Sequence, residues 1–217
     1  MEDPKRFEKL KLYVTGFGAF GNVLTNPTSI LVSKITENKT LLEEVLNIEI
    51  VSTDVLKVTM SEAEKYCDNI HNQLSSNMDK NTMHLVIHFG VAAKSTKIHL
   101  ETIAKNRFKG TDVDGVTKEG CINENCNEAY LSRLDLNMIC TMLRSSKYEN
   151  FLDLSNDAGS YLCNFIYFCS ESRCKSENYD NVFCQFVHVP LFENINEEIQ
   201  YNFFIDFITI IKEIYIK

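Results

Sequence analysis

Three side chains in this sequence carry the functional groups that together can hydrolyse an amide bond. Cys163 follows a turn of small residues and precedes an almost wholly apolar stretch that predicts a buried helix. His188 lies near the end of an apolar run that predicts a buried strand, and Glu101 lies in a strand whose alternate residues are apolar. A thiol, an imidazole and a carboxylate in hydrogen-bonded order can act as nucleophile, base and orienting acid. The candidate chemistry is therefore that of a cysteine hydrolase.

The attacking group in such chemistry is the thiolate, so Cys163 needs neighbours that favour loss of its proton. The positive end of a helix does so only within its first turn. A helix capped at Asp157 puts Cys163 too deep to benefit, whereas a helix that starts near Ser160 puts it in range, and the sequence leaves this open. A neighbouring histidine is the more dependable activator. The alternative is a cysteine that only packs inside a buried helix.

Two histidines compete for the role of base. His188 lies near the carboxyl end of the last predicted strand, and ligand sites of open α/β sheets gather at that edge. His99 lies two residues from Glu101 on the same strand face, roughly 6–7 Å away along the chain. Glu101 needs a partner because an unpaired buried charge is costly, and an imidazole N–H is a natural one. A plain core histidine at 188 and a solvated strand face at 99 and 101 are the alternatives.

A glycine-rich turn follows the first predicted strand. Gly16-Phe-Gly-Ala-Phe-Gly21 matches the G-x-G-x-x-G pattern of dinucleotide-binding turns. In such sites the helix begins inside the glycine run, whereas residues 22–27 intervene here. A dinucleotide-binding module or reductase is the alternative from a different functional class. The rings of Phe17 and Phe20 better suit a flat apolar slot for a small ring-shaped ligand, with Asn26 nearby as a polar handle.

The bulk composition argues against several kinds of partner. The chain has 217 residues, 44% of them hydrophobic and 24% charged, with a formal net charge of -8. Because Lys and Arg form no dense cluster, we expect neither nucleic acid nor a membrane as a partner. The first residues lack the apolar run of a signal peptide, and no stretch is long enough to span a bilayer. We therefore expect a cytoplasmic protein.

The eight cysteines do not predict a disulfide framework or a metal site. Five of them fall in predicted helices or strands, where a free cysteine behaves as a small apolar residue. The pairs Cys121/Cys126 and Cys169/Cys174 each have four intervening residues, a wider spacing than structural zinc pairs usually have. We expect free thiols, no metal and no cofactor.

Apolar runs alternate with amphipathic stretches along the chain, which predicts the α/β class. The predicted strands cover residues 10–17, 48–53, 84–90, 97–103, 151–154 and 181–189, and the predicted helices cover 28–37, 61–74, 134–143, 158–171 and 197–215. Residues 107–128 are polar with three glycines and predict a long loop or hairpin. We expect one domain over residues 1–217, with a flexible start at 1–10.

Four blocks of the chain together resemble pyroglutamyl-peptidase I, also called pyrrolidone-carboxylate peptidase. They are Val14-Thr-Gly-Phe-Gly-Ala-Phe-Gly21, Glu101-Thr-Ile-Ala-Lys-Asn106, Asp157-Ala-Gly-Ser-Tyr-Leu-Cys163-Asn164 and Phe186-Val-His188-Val-Pro190. The blocks occur in the order typical of that family and run from the first predicted strand to the last. The resemblance implies a cytosolic cysteine peptidase that removes N-terminal pyroglutamate from peptides. It also implies a three-layer α/β/α sandwich around a twisted mixed sheet.

The resemblance assigns roles to individual positions. By motif position, Cys163 is the nucleophile, His188 the general base and acid, and Glu101 the residue that orients the histidine. The positions that correspond to the pyroglutamyl pocket of the family are Phe17, Phe20, Asn26, Gly90, Val91 and Tyr161. A catalytically inactive relative that only binds pyroglutamyl peptides is a further alternative. Family members range from monomers to tetramers, so a homo-oligomer is compatible with the resemblance.

Overall fold

A six-stranded sheet forms the centre of the structure, a computed structural model that describes residues 6–76, 79–177 and 179–217. The strands are β1 (Lys9–Phe17), β2 (Glu49–Leu56), β3 (Thr82–Val91), β4 (Ile98–Glu101), β5 (Ile103–Lys105), β6 (Phe108–Thr111), β7 (Thr117–Gly120), β8 (Ala129–Leu131), β9 (Leu152–Ser155) and β10 (Val182–Val189). The helices are α1 (Pro27–Glu37), α2 (Lys39–Leu46), α3 (Met60–Ser76), α4 (Leu136–Leu143), α5 (Leu162–Ser176) and α6 (Glu197–Tyr215).

The main sheet has the strand order β2-β1-β3-β10-β4-β9. All neighbouring strands are parallel except β10 and β4, which are antiparallel, so the sheet is mixed. Because β4 lies between β10 and β9, two strands distant in sequence are brought against the strand that carries Glu101. The predicted α/β class with a mixed sheet is confirmed.

Two separate apolar cores cover the two faces of the sheet, which is the three-layer arrangement. One core joins the sheet to α1, α4 and α6, and includes Leu31, Ile139 and Phe207. The other joins it to α3 and α5, and includes Ile70 and Phe168. Buried residues alternate between the cores along a strand because successive side chains point to opposite faces. None of the helices in the described parts of the chain has the length and apolarity that a bilayer crossing requires.

The glycine-rich turn after β1 is built around the start of α1. Asn26 caps the helix by accepting a hydrogen bond from the Thr28 backbone N–H, and Pro27 takes the first helical position. A Cβ atom at Gly16 would lie 2.5 Å from the Thr28 carbonyl oxygen. Gly16 is therefore required for close packing of α1 against β1, with no ligand needed to explain it.

Two small two-stranded sheets extend the structure between β4 and α4. β5 pairs with β8, and β6 pairs with β7 as a hairpin that lies within the segment 107–128. The expectation of a flexible start lies partly outside the described residues, which begin at residue 6. Within them, Phe7 is buried and pairs with Ile216 beside the end of α6.

One helix was not predicted, and the start of another was predicted wrongly. α2 was missed because it follows α1 directly, with Asn38 shared between the end of one helix and the start of the other. α5 begins at Leu162, four residues after the predicted start at 158. Gly159 has φ of +84°, a left-handed conformation that interrupts a helix, and the Asp157 side chain accepts the Gly159 N–H in a turn.

Glu171 gives the fold a pH-dependent weakness that can be measured. Its side chain is fully buried in α5, and neither carboxyl oxygen has a hydrogen-bond partner among the described residues. Burial raises the pKa of Glu171 to about 8, although Arg133 and Lys175 act in the opposite direction. Because the folded pKa lies above the unfolded value, stability from this group is complete below about pH 4.5 and is lost as pH rises towards 8.

We expect Glu171→Gln to remove this loss, since glutamine has the same shape and cannot ionise. The free energy of unfolding of the variant should exceed that of the parent by roughly 2–5 kcal/mol at pH 8.5, given ~1.4 kcal/mol per pKa unit. The two proteins should be nearly equal at pH 4.5. Urea unfolding at both pH values measures the difference. An identical difference at the two pH values would show that folding does not raise the pKa of Glu171.

Candidate active site

Cys163 is the second residue of α5 and so lies in the first helical turn. The N-cap residue Tyr161 makes no side-chain capping hydrogen bond. The first backbone N–H groups of a helix have no partner within it, and the helix dipole places positive potential there. The question left open by the sequence is thereby answered: the later helix start puts the half-buried sulfur where a thiolate is stabilised.

His188 and Glu101 form a buried hydrogen-bonded pair. His188 Nδ1 lies 2.7 Å from Glu101 Oε1, and their side chains are 10% and 2% exposed. A carboxylate accepts at this position, so Nδ1 carries the proton and Nε2 is left for another partner. The Cys163 sulfur is near enough to interact electrostatically with the imidazole. The structure therefore brings the three side chains proposed from sequence together, and their catalytic roles stay a prediction.

The electrostatics of the pair favour a protonated imidazole. Burial alone would lower the pKa of His188, but the Cys163 sulfur and the Glu101 carboxylate outweigh it and raise this pKa. An imidazole between a cysteine and a carboxylate is the arrangement that activates a cysteine nucleophile. The carboxylate also fixes which ring nitrogen faces the sulfur.

Gly90 allows the sulfur to approach the sheet. It lies beside His188 in the register of β3 and β10. A Cβ atom at Gly90 would lie 2.9 Å from Cys163 Sγ and 2.5 Å from a ring carbon of Phe186. The Phe186 ring in turn packs against the His188 ring, with centroids 4.8 Å apart. Absence of a side chain at position 90 therefore keeps thiol and imidazole together.

His99, the competing base, lies next to the pair and faces a different partner. It is opposite His188 in the register of β4 and β10, and its Nε2 lies 2.8 Å from Ser95 Oγ. The Ser95 hydroxyl donates to the Lys97 carbonyl, so its oxygen can only accept from His99. His99 Nδ1 is then a bare acceptor. Burial lowers the pKa of His99, which keeps the ring neutral.

The predicted ring slot has one fully buried ring and one partly exposed ring. Phe17 is buried, and its backbone N–H donates to the Thr28 hydroxyl, which ties the turn to α1. Phe20 is partly buried and packs against the core on the α5 side. Asn26 is buried, and its amide N–H donates to the Gly18 carbonyl. Both ends of that side chain thus hold the turn, so its contact with a ligand stays a prediction.

Tyr161 ties the β6–β7 hairpin to the start of α5. Its hydroxyl donates to the Thr111 carbonyl over 2.9 Å, and its ring packs against Phe108. Gly110 lies under the ring, since a Cβ there would come within 2.7 Å of it. The β6–β7 hairpin therefore borders the site next to Cys163. Val91 ends β3 one residue after Gly90 and is partly exposed.

Three residues that hold the site were not identified from sequence. The Tyr167 hydroxyl and the Gln185 amide both donate to the Glu101 carbonyl oxygen, at 3.1 and 3.0 Å. Asn164 binds the backbone at Lys105 and Arg107 through both ends of its amide. Each is a polar residue inside a buried run, which is the signal that could have marked it.

No group of three potential metal ligands occurs in the described ranges. The glycine-rich turn is also unlike a dinucleotide site. The helix that follows begins at Pro27 and not within the glycine run, and the Asn26 side chain occupies its first free N–H.

Comparison with known proteins points to one family. The family model described as Pyroglutamyl peptidase matches residues 10–202. Pyroglutamyl-peptidase 1 of Rattus norvegicus is 27% identical over 192 residues, which span 88% of this chain and 81% of the relative. Pyrrolidone-carboxylate peptidase of Thermococcus litoralis is 28% identical over 183 residues, which span 83% of this chain and 76% of that protein.

Solved structures give the same result for the fold. The pyrrolidone carboxyl peptidase of Fervidobacterium islandicum superposes with a TM-score of 0.78 at 24% identity, over 94% of this chain and 99% of that chain. The Thermococcus litoralis structure gives a TM-score of 0.75 at 23% identity, over 94% of each chain. At these identities the likeness establishes the shared fold.

Proposed function

This chain belongs to the pyroglutamyl peptidase family, and we propose that it hydrolyses the bond after an N-terminal pyroglutamate with Cys163, His188 and Glu101. The observation that carries the assignment of residues is the 2.7 Å contact between His188 Nδ1 and Glu101 Oε1 beside a cysteine in the first turn of α5. A packing cysteine would need neither neighbour. The sequence alternative of a dinucleotide-binding module has no comparable support.

The proposed reaction begins with an ion pair. His188 holds the proton of Cys163, and the thiolate attacks the carbonyl carbon that joins pyroglutamate to the next residue. The carbonyl oxygen becomes an oxyanion. The tetrahedral intermediate collapses, the C–N bond breaks, and the amine leaves with the proton from His188 Nε2. A thioester of pyroglutamate on Cys163 remains. Water, deprotonated by the same imidazole, hydrolyses it and regenerates the thiol.

The start of α5 supplies donors for the oxyanion. The backbone N–H groups of Leu162, Cys163 and Asn164 have no partner inside the helix because they lie in its first turn. Donors fixed by a helix do not need to reorganise as charge develops on the substrate oxygen. We propose the N–H of Cys163 itself as the nearest of them.

Substrate choice follows from charge. Pyroglutamate is a lactam without a charged amine, and it offers one donor and one acceptor. We propose that Phe17, Phe20, Val91 and Tyr161 border its binding slot beside Gly90. An unmodified N-terminus would bring an ammonium group into an apolar slot, and an unpaired buried charge is strongly disfavoured.

A pair of matched peptides tests the activity. We expect release of free pyroglutamate from a peptide with that residue at its N-terminus, and no release of glutamine from the same peptide with N-terminal glutamine. Mass spectrometry of the products measures both. Binding of the first peptide without turnover would instead support the catalytically inactive binder. A cytoplasmic location and a homo-oligomeric state stay predictions.

Glu101→Gln should reduce kcat/KM by roughly 10–100-fold, because glutamine can still accept from Nδ1 but loses a charge-assisted hydrogen bond worth about 1.5–3 kcal/mol. The carboxylate raises the pKa of His188, so its removal lowers that pKa. The alkaline limb of the kcat/KM profile, where His188 loses its proton, should therefore move to lower pH. An unchanged limb together with unchanged kcat/KM would remove Glu101 from the proposal.

A further inference from the structure

A cavity of about 770 Å³ opens beside His188. It lies against strands β10, β4 and β9 and against the chain between β9 and α5, which begins at Leu162. Its walls include His188, His99 and Glu101, and the chain after β9. The volume is typical of a site for a small ligand or a short peptide.

The sheet face that forms the cavity floor is polar in a regular pattern. His188, His99 and Asp153 form one row across three neighbouring strands, and Glu101 and Ser155 form the next row on β4 and β9. Elsewhere this face of the sheet carries core residues, and its buried Thr15 and His88 are hydrogen-bonded to each other. Apolar packing does not explain these two rows, in which Glu101 is buried and Asp153 and Ser155 are partly exposed.

Two atoms of these rows are hydrogen-bond acceptors to which no described residue donates. Glu101 Oε2 and His99 Nδ1 are buried, and neither has a hydrogen-bond partner among the described residues. Glu101 uses only Oε1 for His188. Unsatisfied buried acceptors are rare and call for a donor. The nearby Asp153 carboxylate is already neutralised, since it contacts Lys97 and Arg144. The site thus matches a ligand that brings N–H donors and no large net charge.

Catalysis fixes which part of a substrate lies here. The leaving amine must receive its proton from His188 Nε2, so the chain attached to that amine departs on the imidazole side of the sulfur. The cavity borders the imidazole, and the backbone of a peptide supplies N–H donors at regular intervals.

We propose that this cavity binds the first two residues after the pyroglutamate, with His99 Nδ1 and Glu101 Oε2 accepting from their backbone N–H groups. The inference rests on the proposed peptidase activity and adds the position and chemistry of the leaving-group subsite. It makes His99 a specificity-determining residue and not the base.

Two substrates separate this subsite from the chemistry. Pyroglutamyl-Ala-Ala-Ala amide fills the cavity, whereas pyroglutamide releases only ammonia and leaves it empty. The measured quantity is the ratio of their kcat/KM values. Asn156 is exposed at the cavity wall after β9, and Asn156→Trp should fill the cavity and lower the ratio by about tenfold or more. Asn150, equally exposed at the opposite end of β9, provides Asn150→Trp as the matched control with an unchanged ratio.

His99→Leu should lower the same ratio by removing one acceptor, and it decides the question if Asn156→Trp does not fold by circular dichroism. Unchanged ratios in the folded variants would overturn the subsite while leaving the peptidase intact. If the unsubstituted protein hydrolyses neither compound, the proposed function fails first and the subsite fails with it.

Discussion

Replacing Cys163 with serine is expected to lower kcat/KM for a pyroglutamyl peptide by at least about 10⁴-fold while the fold remains intact. The hydroxyl of serine does not ionise under conditions where a thiol paired with imidazole does, so His188 and the start of α5 would have no thiolate to stabilise. The side chain is half-buried and only one atom changes, which leaves packing undisturbed. The measurement is release of free pyroglutamate, with circular dichroism to verify folding.

The chain offers a matched control for this substitution. Cys121 is exposed and lies beyond the end of β7, so Cys121→Ser should leave kcat/KM unchanged within about twofold. Alkylation of the Cys121→Ser and Cys163→Ser variants likewise separates the effect of a modified thiol at position 163 from that at position 121. Cys163→Ser that retains the activity of the parent would mean that another residue is the nucleophile.

The second large effect is expected at His188. His188→Ala removes the proton acceptor for the thiol and the proton donor for the leaving amine, and should lower kcat/KM by about 10³-fold or more. The effect should be nearly non-additive with Cys163→Ser, because the two groups act as one unit. Steady-state kinetics of both single variants and the double variant measure this.

His99→Ala is the control that separates the two histidines. His99 is neutral and is hydrogen-bonded through Nε2 to Ser95. Its replacement by alanine should therefore lower kcat/KM for pyroglutamide by less than about tenfold. A large loss of kcat/KM in His99→Ala together with a small loss in His188→Ala would mean that His99, and not His188, is the base.

The sequence predicted the parts of the site that depend on residue type and local pattern. Cys163, His188 and Glu101 could be chosen because each is a reactive group inside an apolar run. Their contact could not be deduced from local pattern, since it depends on β4 entering the sheet antiparallel to β10. Strand pairing between segments 87 residues apart in sequence is a property of the whole fold.

The start of α5 was predicted too early because Ala158 and the apolar residues after it match a helical pattern. The decisive residue is Gly159, whose left-handed conformation ends the turn and sets Cys163 in the first helical turn. Contacts such as Asn164 with the backbone at Lys105 were also beyond prediction. A polar residue in a buried run indicates that a partner exists, but not which one.

Acid quenching during turnover, followed by mass spectrometry of the peptide that contains Cys163, tests the proposed mechanism most directly. We predict a pyroglutamyl adduct on this sulfur that forms with the parent protein and is absent from Cys163→Ser. Release of pyroglutamate at the normal rate from protein whose Cys163 is fully alkylated would contradict the account.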